Sequence, residues 1–290
     1  MRRRVIGAAL VAAMSLVGRP AAAQSRPLIT QDPETVPEGK ILVEAGMDYQ
    51  QDVGYPVSGL RGNLWKIATF GFSFGVSPIA EIQVDGGIRD RLAVKSLDPT
   101  APLASVLNSS VVVGGTTGDV EDGAIGAKIR FASETASRPS LAFRFSTRLP
   151  NADNETGLGL DTTDFSFGFL GGKTVQSIRV VGNLGLGILT DPTRGGDGDR
   201  QNDVLEYGVS MARALRTGFE VVGEVNGRWS TRAGTPPPGT GSQSSFRLGS
   251  RLTRGPVRID GALIFGFTTN EPAWGVTFGA TWVFKAFDVK

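Results

Sequence analysis

The sequence predicts an all-β fold, a transmembrane antiparallel β-barrel of about twelve strands behind an N-terminal signal peptide. Three observations predict it. Apolar and polar residues alternate through most of the chain, the period of a strand whose two faces differ. Charge keeps to one face of each strand. The connections alternate between short and long, as periplasmic turns and outer loops do in membrane barrels.

The first element is the leader. Arg2, Arg3 and Arg4 start it, residues 5–17 are apolar, and Pro20-Ala21-Ala22-Ala23 precedes Gln24. A basic start, a short apolar run and small residues at the cut form a signal peptide, here 1–23 with cleavage after Ala23. The run is too short to span ~30 Å of hydrocarbon as a helix. The leader carries four of the 30 basic residues and no acid, so the remainder holds 26 basic against 28 acidic residues. That net of −2 does not suggest a nucleic-acid partner. Residues 24–39 read as a short periplasmic arm, and 40–290 as the outer-membrane barrel.

Strands follow in order. Ile41, Val43, Ala45, Met47 and Tyr49 form the first apolar row, with Glu44 and Asp48 opposite. Phe70, Phe72 and Phe74 mark the second. Ile82, Val84 and Ile88 mark the third, against Glu81, Gln83, Asp85 and Arg89. Rows led by Ile125, Leu141, Phe165, Ile178, Leu205, Phe219, Phe246, Val257 and Trp274 complete twelve. Connections at 77–80, 133–138, 171–177, 215–217 and 254–256 are short, and that at 268–272 is short on the other side. Those at 52–61, 91–121, 150–162, 190–202 and 230–245 are long and polar. The 91–121 stretch contains Val111-Val112-Val113. It either folds into the lumen or extends the fourth strand, and an added hairpin there would give fourteen strands.

Soluble sandwiches alternate too, so charge decides. Lys66 is the one clear charge in the apolar rows, near a strand end where it could snorkel. Lys or Arg at the lipid midplane costs roughly 2–4 kcal/mol. A dry core holding the charged faces would cost far more, whereas a water-filled lumen would not. Trp229, Trp274 and Trp282 suit interfacial girdles.

Thr30-Gln31-Asp32-Pro33-Glu34-Thr35-Val36-Pro37-Glu38-Gly39-Lys40, running into Val43-Glu44, resembles the opening of the outer-membrane porin family named for the meta-pathway of phenol degradation. Gly75-Val76 before Ala80-Glu81-Ile82, Gly118-Asp119-Val120 before Gly123-Ala124-Ile125, Leu149-Pro150, and Gly279-Ala280-Thr281-Trp282-Val283-Phe284 are similar to further elements of it. The resemblance implies an outer-membrane transporter of small molecules, aromatic or hydrophobic ones among them. It transfers no site residues. The chain departs at its end, where Lys285 to Lys290 follow Phe284; either Phe287 serves as the assembly signal or the signal is internal.

Histidine and cysteine are both absent, which removes imidazole bases, thiolate nucleophiles and the usual zinc sites. Gly71-Phe72-Ser73-Phe74-Gly75 fits the hydrolase G-x-S-x-G pattern, but lies inside an alternating strand and lacks a His partner. Gly195-Gly196-Asp197-Gly198-Asp199 is better read as a solvated loop than as a calcium site, because Arg200 stands where an acid is needed. No enzyme and no cofactor are expected.

The candidate functional residues are therefore the lumen charges. The acids are Glu44, Asp48, Glu81, Asp85, Glu220 and Glu224; the bases are Lys128, Arg130, Arg144, Arg148, Arg247 and Arg251. They form either a transverse field tuning selectivity or an ion-pair network filling a narrow barrel. The expected function is passive uptake of small molecules across the outer membrane. The alternative is a plugged structural or adhesive barrel that binds through its outer loops. Expected partners are outer-membrane lipid, small solutes and the outer-membrane assembly machinery.

Overall fold

The computed structural model describes residues 25–193 and 201–287. The leader and the Gly195–Asp199 motif lie outside the described residues. Thirteen strands make one antiparallel sheet. They are β1 (Lys40–Tyr55), β2 (Leu60–Gly75), β3 (Ala80–Leu97), β4 (Thr116–Asp119), β5 (Ala124–Ala132), β6 (Ser140–Arg148), β7 (Asp164–Val175), β8 (Ile178–Thr190), β9 (Gln201–Arg216), β10 (Phe219–Ser230), β11 (Gln243–Arg254), β12 (Val257–Gly266) and β13 (Trp274–Lys285). Sequential neighbours pair, except that β3 pairs with β5 and β1 with β13. Twelve strands thus close a cylinder and satisfy every edge, which hydrocarbon requires. The short β4 lies outside this ring, beside residues 90–93 of β3.

The outer surface is the apolar rows. Phe143 lies opposite Phe169, and Phe145 opposite Phe167, across β6 and β7. Tyr49 packs on Trp65 and Trp274 at ring separations of 4.8 and 5.6 Å. Trp282 packs on Phe284 at 4.6 Å, near the short-turn end. Trp274 and Trp282 are eight residues apart on one strand, about 20 Å along the barrel axis for a tilted strand. Two aromatic levels therefore bracket an apolar band of membrane thickness.

The strands run further than the alternation alone suggested. The stretch at 52–61 is not a long loop: β1 and β2 continue to a four-residue connection at 56–59. Residues 91–97 likewise extend β3. The added hairpin does not form, because only 116–119 pair, and they pair on the outer part of β3.

A one-residue bulge re-aims two charges. At Ala68, φ is +56° and the register against β1 shifts between Gly46 and Met47. A single extra residue moves all that follows to the other face. Lys66 then stands opposite Asp48 and Asp90, inside the barrel, and pairs with Glu121 and with Asp90 at 3.8 Å. The apparent lipid-facing lysine is a lumen lysine. Arg89, read as a lumen residue, lies opposite outward Ile67 and is exposed.

Beyond Lys66 and Asp90 the inner face of β2 and β3 becomes apolar. Leu60, Leu64, Leu92 and Val94 point inward and are buried, and Val111 of the 98–115 loop packs on them with Leu107 and Leu158. Val111 thus fastens a loop to the inner wall, while Val112 and Val113 stay exposed. At the opposite end, connections are tight. The turn at 217–218 needs Gly218 at φ +76°, where a Cβ would lie 2.5 Å from the Thr253 carbonyl oxygen.

The face assignment predicts asymmetric costs. Phe167→Arg, mid-strand on the lipid side, should destabilise the barrel by about 2–4 kcal/mol. Denaturant unfolding in phospholipid vesicles measures it; a loss below about 1 kcal/mol would contradict the outward placement.

Candidate functional site in the lumen

The N-terminal arm lies inside the cylinder rather than beside it in the periplasm. Residues 25–36 rise from the short-turn end and cross the lumen, fastened at nearly every step. The Val36 amide donates to Glu81 on β3. Glu34 pairs with Arg130 on β5. Asp32 takes a two-pronged grip from Arg179 on β8, at 2.9 and 2.7 Å. Arg179 also reaches Glu134 at 2.6 Å. The Asp32 carbonyl accepts from Lys128 at 2.8 Å. The Asn183 amide, oriented by this network, closes two hydrogen bonds with the Gln31 backbone at 2.9 and 2.8 Å.

On the far wall, Glu224 of β10 accepts the amides of Ile29 and Thr30, both at 2.8 Å. Arg247 donates to the Pro27 carbonyl at 3.1 Å, and Arg251 to those of Arg26 and Ser25 at 2.7 and 2.6 Å. Arg26 itself donates to Thr277 and to the Phe278 carbonyl, both at 2.9 Å, and stands 3.5 Å from Asp260.

Glycines make the room. Gly46 and Gly279 sit opposite each other on β1 and β13. A Cβ on either would fall within 2.4 Å of the Arg26 guanidinium. A Cβ on Gly208 would lie 2.8 Å from Thr30 Oγ1. A larger residue at Gly46 or Gly279 would push the arm off the wall.

The long-loop end is roofed. Gly239 of the β10–β11 loop packs against Val57 of the β1–β2 turn and Leu160 of the β6–β7 loop. Ser58 donates to the Gly157 carbonyl at 2.8 Å, and Arg228 to the Gly239 and Gly241 carbonyls at 2.6 and 3.0 Å. Between arm and loops lies a chamber of about 410 Å³. Ile29, Thr30 and Gln31 form its floor; Arg144, Ser166, Glu206, Asn226, Arg228 and Arg247 stand on its walls; Glu271 and Pro272 border it from the β12–β13 loop.

The twelve anticipated charges do not share one task. Glu44, Glu81, Lys128, Arg130, Glu224, Arg247 and Arg251 hold the arm. Glu44 accepts from the Arg26 amide at 3.3 Å, and Lys128 pairs with Glu81 at 3.0 Å. Glu220 stands 3.9 Å from Arg251. Arg148 ties Asp122 and Asp164 where the loops begin. Asp48 faces Lys66 across the first hairpin. Arg144 borders the chamber, 4.0 Å from Asp85.

Six contributors were not anticipated from sequence: Arg26, Asp32, Arg179, Glu206, Arg228 and Glu271. The alternation already put Arg179, Glu206 and Arg228 on inward faces. The arm and the loop residue carried no periodic signal. Ser73 of the G-x-S-x-G stretch stays within a strand, with no strand-to-helix elbow.

Burial pushes the Glu271 carboxyl up from its ordinary 4.5, and the positive charges of Arg228 and Arg247 only partly oppose this. A carboxyl raised on folding contributes most below its unfolded value, and that contribution is lost as pH rises through the folded value. Glu271→Gln should therefore be more stable than the parent chain at pH 7, with the gap closing toward pH 4.5; heat-unfolding midpoints across pH read it, and a pH-independent gap would refute the burial account. Glu224→Gln keeps shape but removes the charge behind two amide bonds, each worth about 1.5–3 kcal/mol. Hydrogen exchange at Ile29 and Thr30 should speed up by at least tenfold, while unchanged exchange would mean that the arm is held elsewhere.

No protein-family model matches the sequence, and none of the curated proteins matches it. Solved structures do resemble the fold. An outer-membrane channel from Pseudomonas putida F1 superposes with a TM-score of 0.61 at 13% identity, over 87% of this chain and 98% of that one. The translocator domain of the autotransporter NalP from Neisseria meningitidis gives 0.48 at 14% identity, over 97% and 95%. The toluene transporter TbuX of Ralstonia pickettii gives 0.44 at 9%, over 88% and 92%. The first likeness is one of fold; the other two are too distant to bear on it. The architecture is that of an outer-membrane β-barrel.

Proposed function

We propose that this chain is a passive channel for small molecules in the outer membrane, exported behind the leader cleaved after Ala23 and folded in by the assembly machinery. One observation carries the reading: a chamber with charged and amide walls lies inside a cylinder whose outer face carries rows of exposed apolar side chains. A purely structural barrel needs no polar space at its centre. The fold shared with an outer-membrane channel supports the same reading, and the sequence resemblance implies aromatic or hydrophobic compounds as one substrate class. Solutes would enter between the loops, pass the chamber and leave as the arm yields. The wall charges that hold the arm then set how easily the pathway opens, and Arg144, Asp85 and Arg148 tune what passes the chamber.

The chain has no cysteine of its own, so the arm can be locked cleanly. A Cβ on Gly208 would lie 3.5 Å from the Thr30 Cβ, within disulfide range of about 3.5–4.5 Å. The double variant Thr30→Cys plus Gly208→Cys should conduct in planar bilayers when reduced and fall to baseline when oxidised. Silence in both states, with the parent chain also silent, would favour the plugged structural or adhesive barrel instead.

A further inference from the structure

The charges around the chamber do not balance. Arg144, Arg228 and Arg247 border it, against Glu206 and Glu271. Moreover, the arginines spend their donors on neutral groups. Arg228 donates to the two loop carbonyls of Gly239 and Gly241. Arg144 donates to Gln83 at 2.7 Å and Ser146 at 3.0 Å, with the Asp85 carboxylate farther off at 4.0 Å. Arg247 donates to the Pro27 carbonyl, and its nearest carboxylate, Glu224 at 3.7 Å, is already taken by two arm amides. Such bonds satisfy hydrogen-bonding capacity without neutralising charge, so the guanidinium groups bordering the chamber stay open to an anion. A guanidinium keeps its charge at any physiological pH, so the surplus is permanent. The floor is different in kind: Ile29 presents apolar surface, half exposed, directly to this space. A chamber of about 410 Å³ exceeds what an inorganic ion fills and falls within the range of small-ligand sites.

We infer that the chamber binds a small organic carboxylate, its anionic end met by Arg228 and Arg247 and its apolar body resting on Ile29. Glu271 competes for those two arginines, which keeps the site from holding its ligand too tightly for passage. The inference deepens the channel reading and rests on it for its physiological sense, but binding is measurable apart from transport.

Isothermal titration of the purified barrel in detergent with benzoate, benzyl alcohol and benzylamine tests it. These probes share a ring and differ in charge. Benzoate should bind at least tenfold more tightly than either of the others. Arg228→Gln should weaken benzoate about tenfold, the loss of one charge-assisted contact. Glu271→Gln should tighten it severalfold. Opposite signs from two chamber variants separate charge from packing damage, which would weaken both; Arg144→Gln replaces Arg228→Gln if the latter fails to fold. Equal binding of all three probes, a preference for benzylamine, or weakening by Glu271→Gln would overturn the inference. Conductance without benzoate binding would sink the inference and leave the channel. Benzoate binding with the predicted signs but without conductance would sink the channel and leave the site.

Discussion

Charge enclosed in a narrow barrel must find its opposite within a few ångströms, and most of this structure follows from that constraint. Lys128 is fully buried, as is its partner Glu81 at 3.0 Å. Removing either member of such a pair typically costs 3–5 kcal/mol, because the survivor stays buried and uncompensated. The wall alone does not supply every partner. The arm supplies the rest: Asp32 and Glu34 bring carboxylates to Arg179 and Arg130, and Arg26 brings a cation to Asp260. The N-terminal segment is thus the counter-charge to the lumen wall.

The same constraint explains the asymmetry along the barrel axis. Toward the short-turn end the inner face is charged and is filled by the arm. Past the bulge at Ala68 the inner face of β2 and β3 is lined by Leu60, Leu64 and Leu92 and is covered by loop residues. Each filling matches its wall. Between them neither filling reaches, and a polar chamber is left. Its floor is arm and its roof is loop, so a shift of either element changes its size.

In the proposed channel this arrangement would link stability to permeation. Seven of the charges on the wall serve to hold the arm, so weakening them changes both the fold's cohesion and the path through it. Arg144, Arg228 and Glu271 stand apart, because they face the chamber and touch none of the arm's backbone. A barrel that moves solutes can tolerate a plug held by many modest bonds, since a segment without secondary structure can be released in steps.

Strand period, a largely apolar outer face and connection lengths are local properties, so the sequence by itself determined a twelve-stranded barrel and the inward direction of most of its charges. Seven of the twelve candidates nevertheless acquired their partners from the arm, which has no strand period. Alternation cannot register a bulge, so Lys66 and Arg89 were assigned to the wrong faces; the bulge at Ala68 turns Lys66 inward, and β3, which keeps its register with β2 across it, turns Arg89 outward. Nor can it register where an aperiodic segment goes. Residues 25–36 have no strand period, and only the closed wall, with Gly46, Gly279 and Gly208 cleared of side chains, decides that they lie within. The chamber is a property of three elements far apart in sequence, and tertiary structure alone creates it, because a cavity is defined by what surrounds it and not by any one stretch of chain.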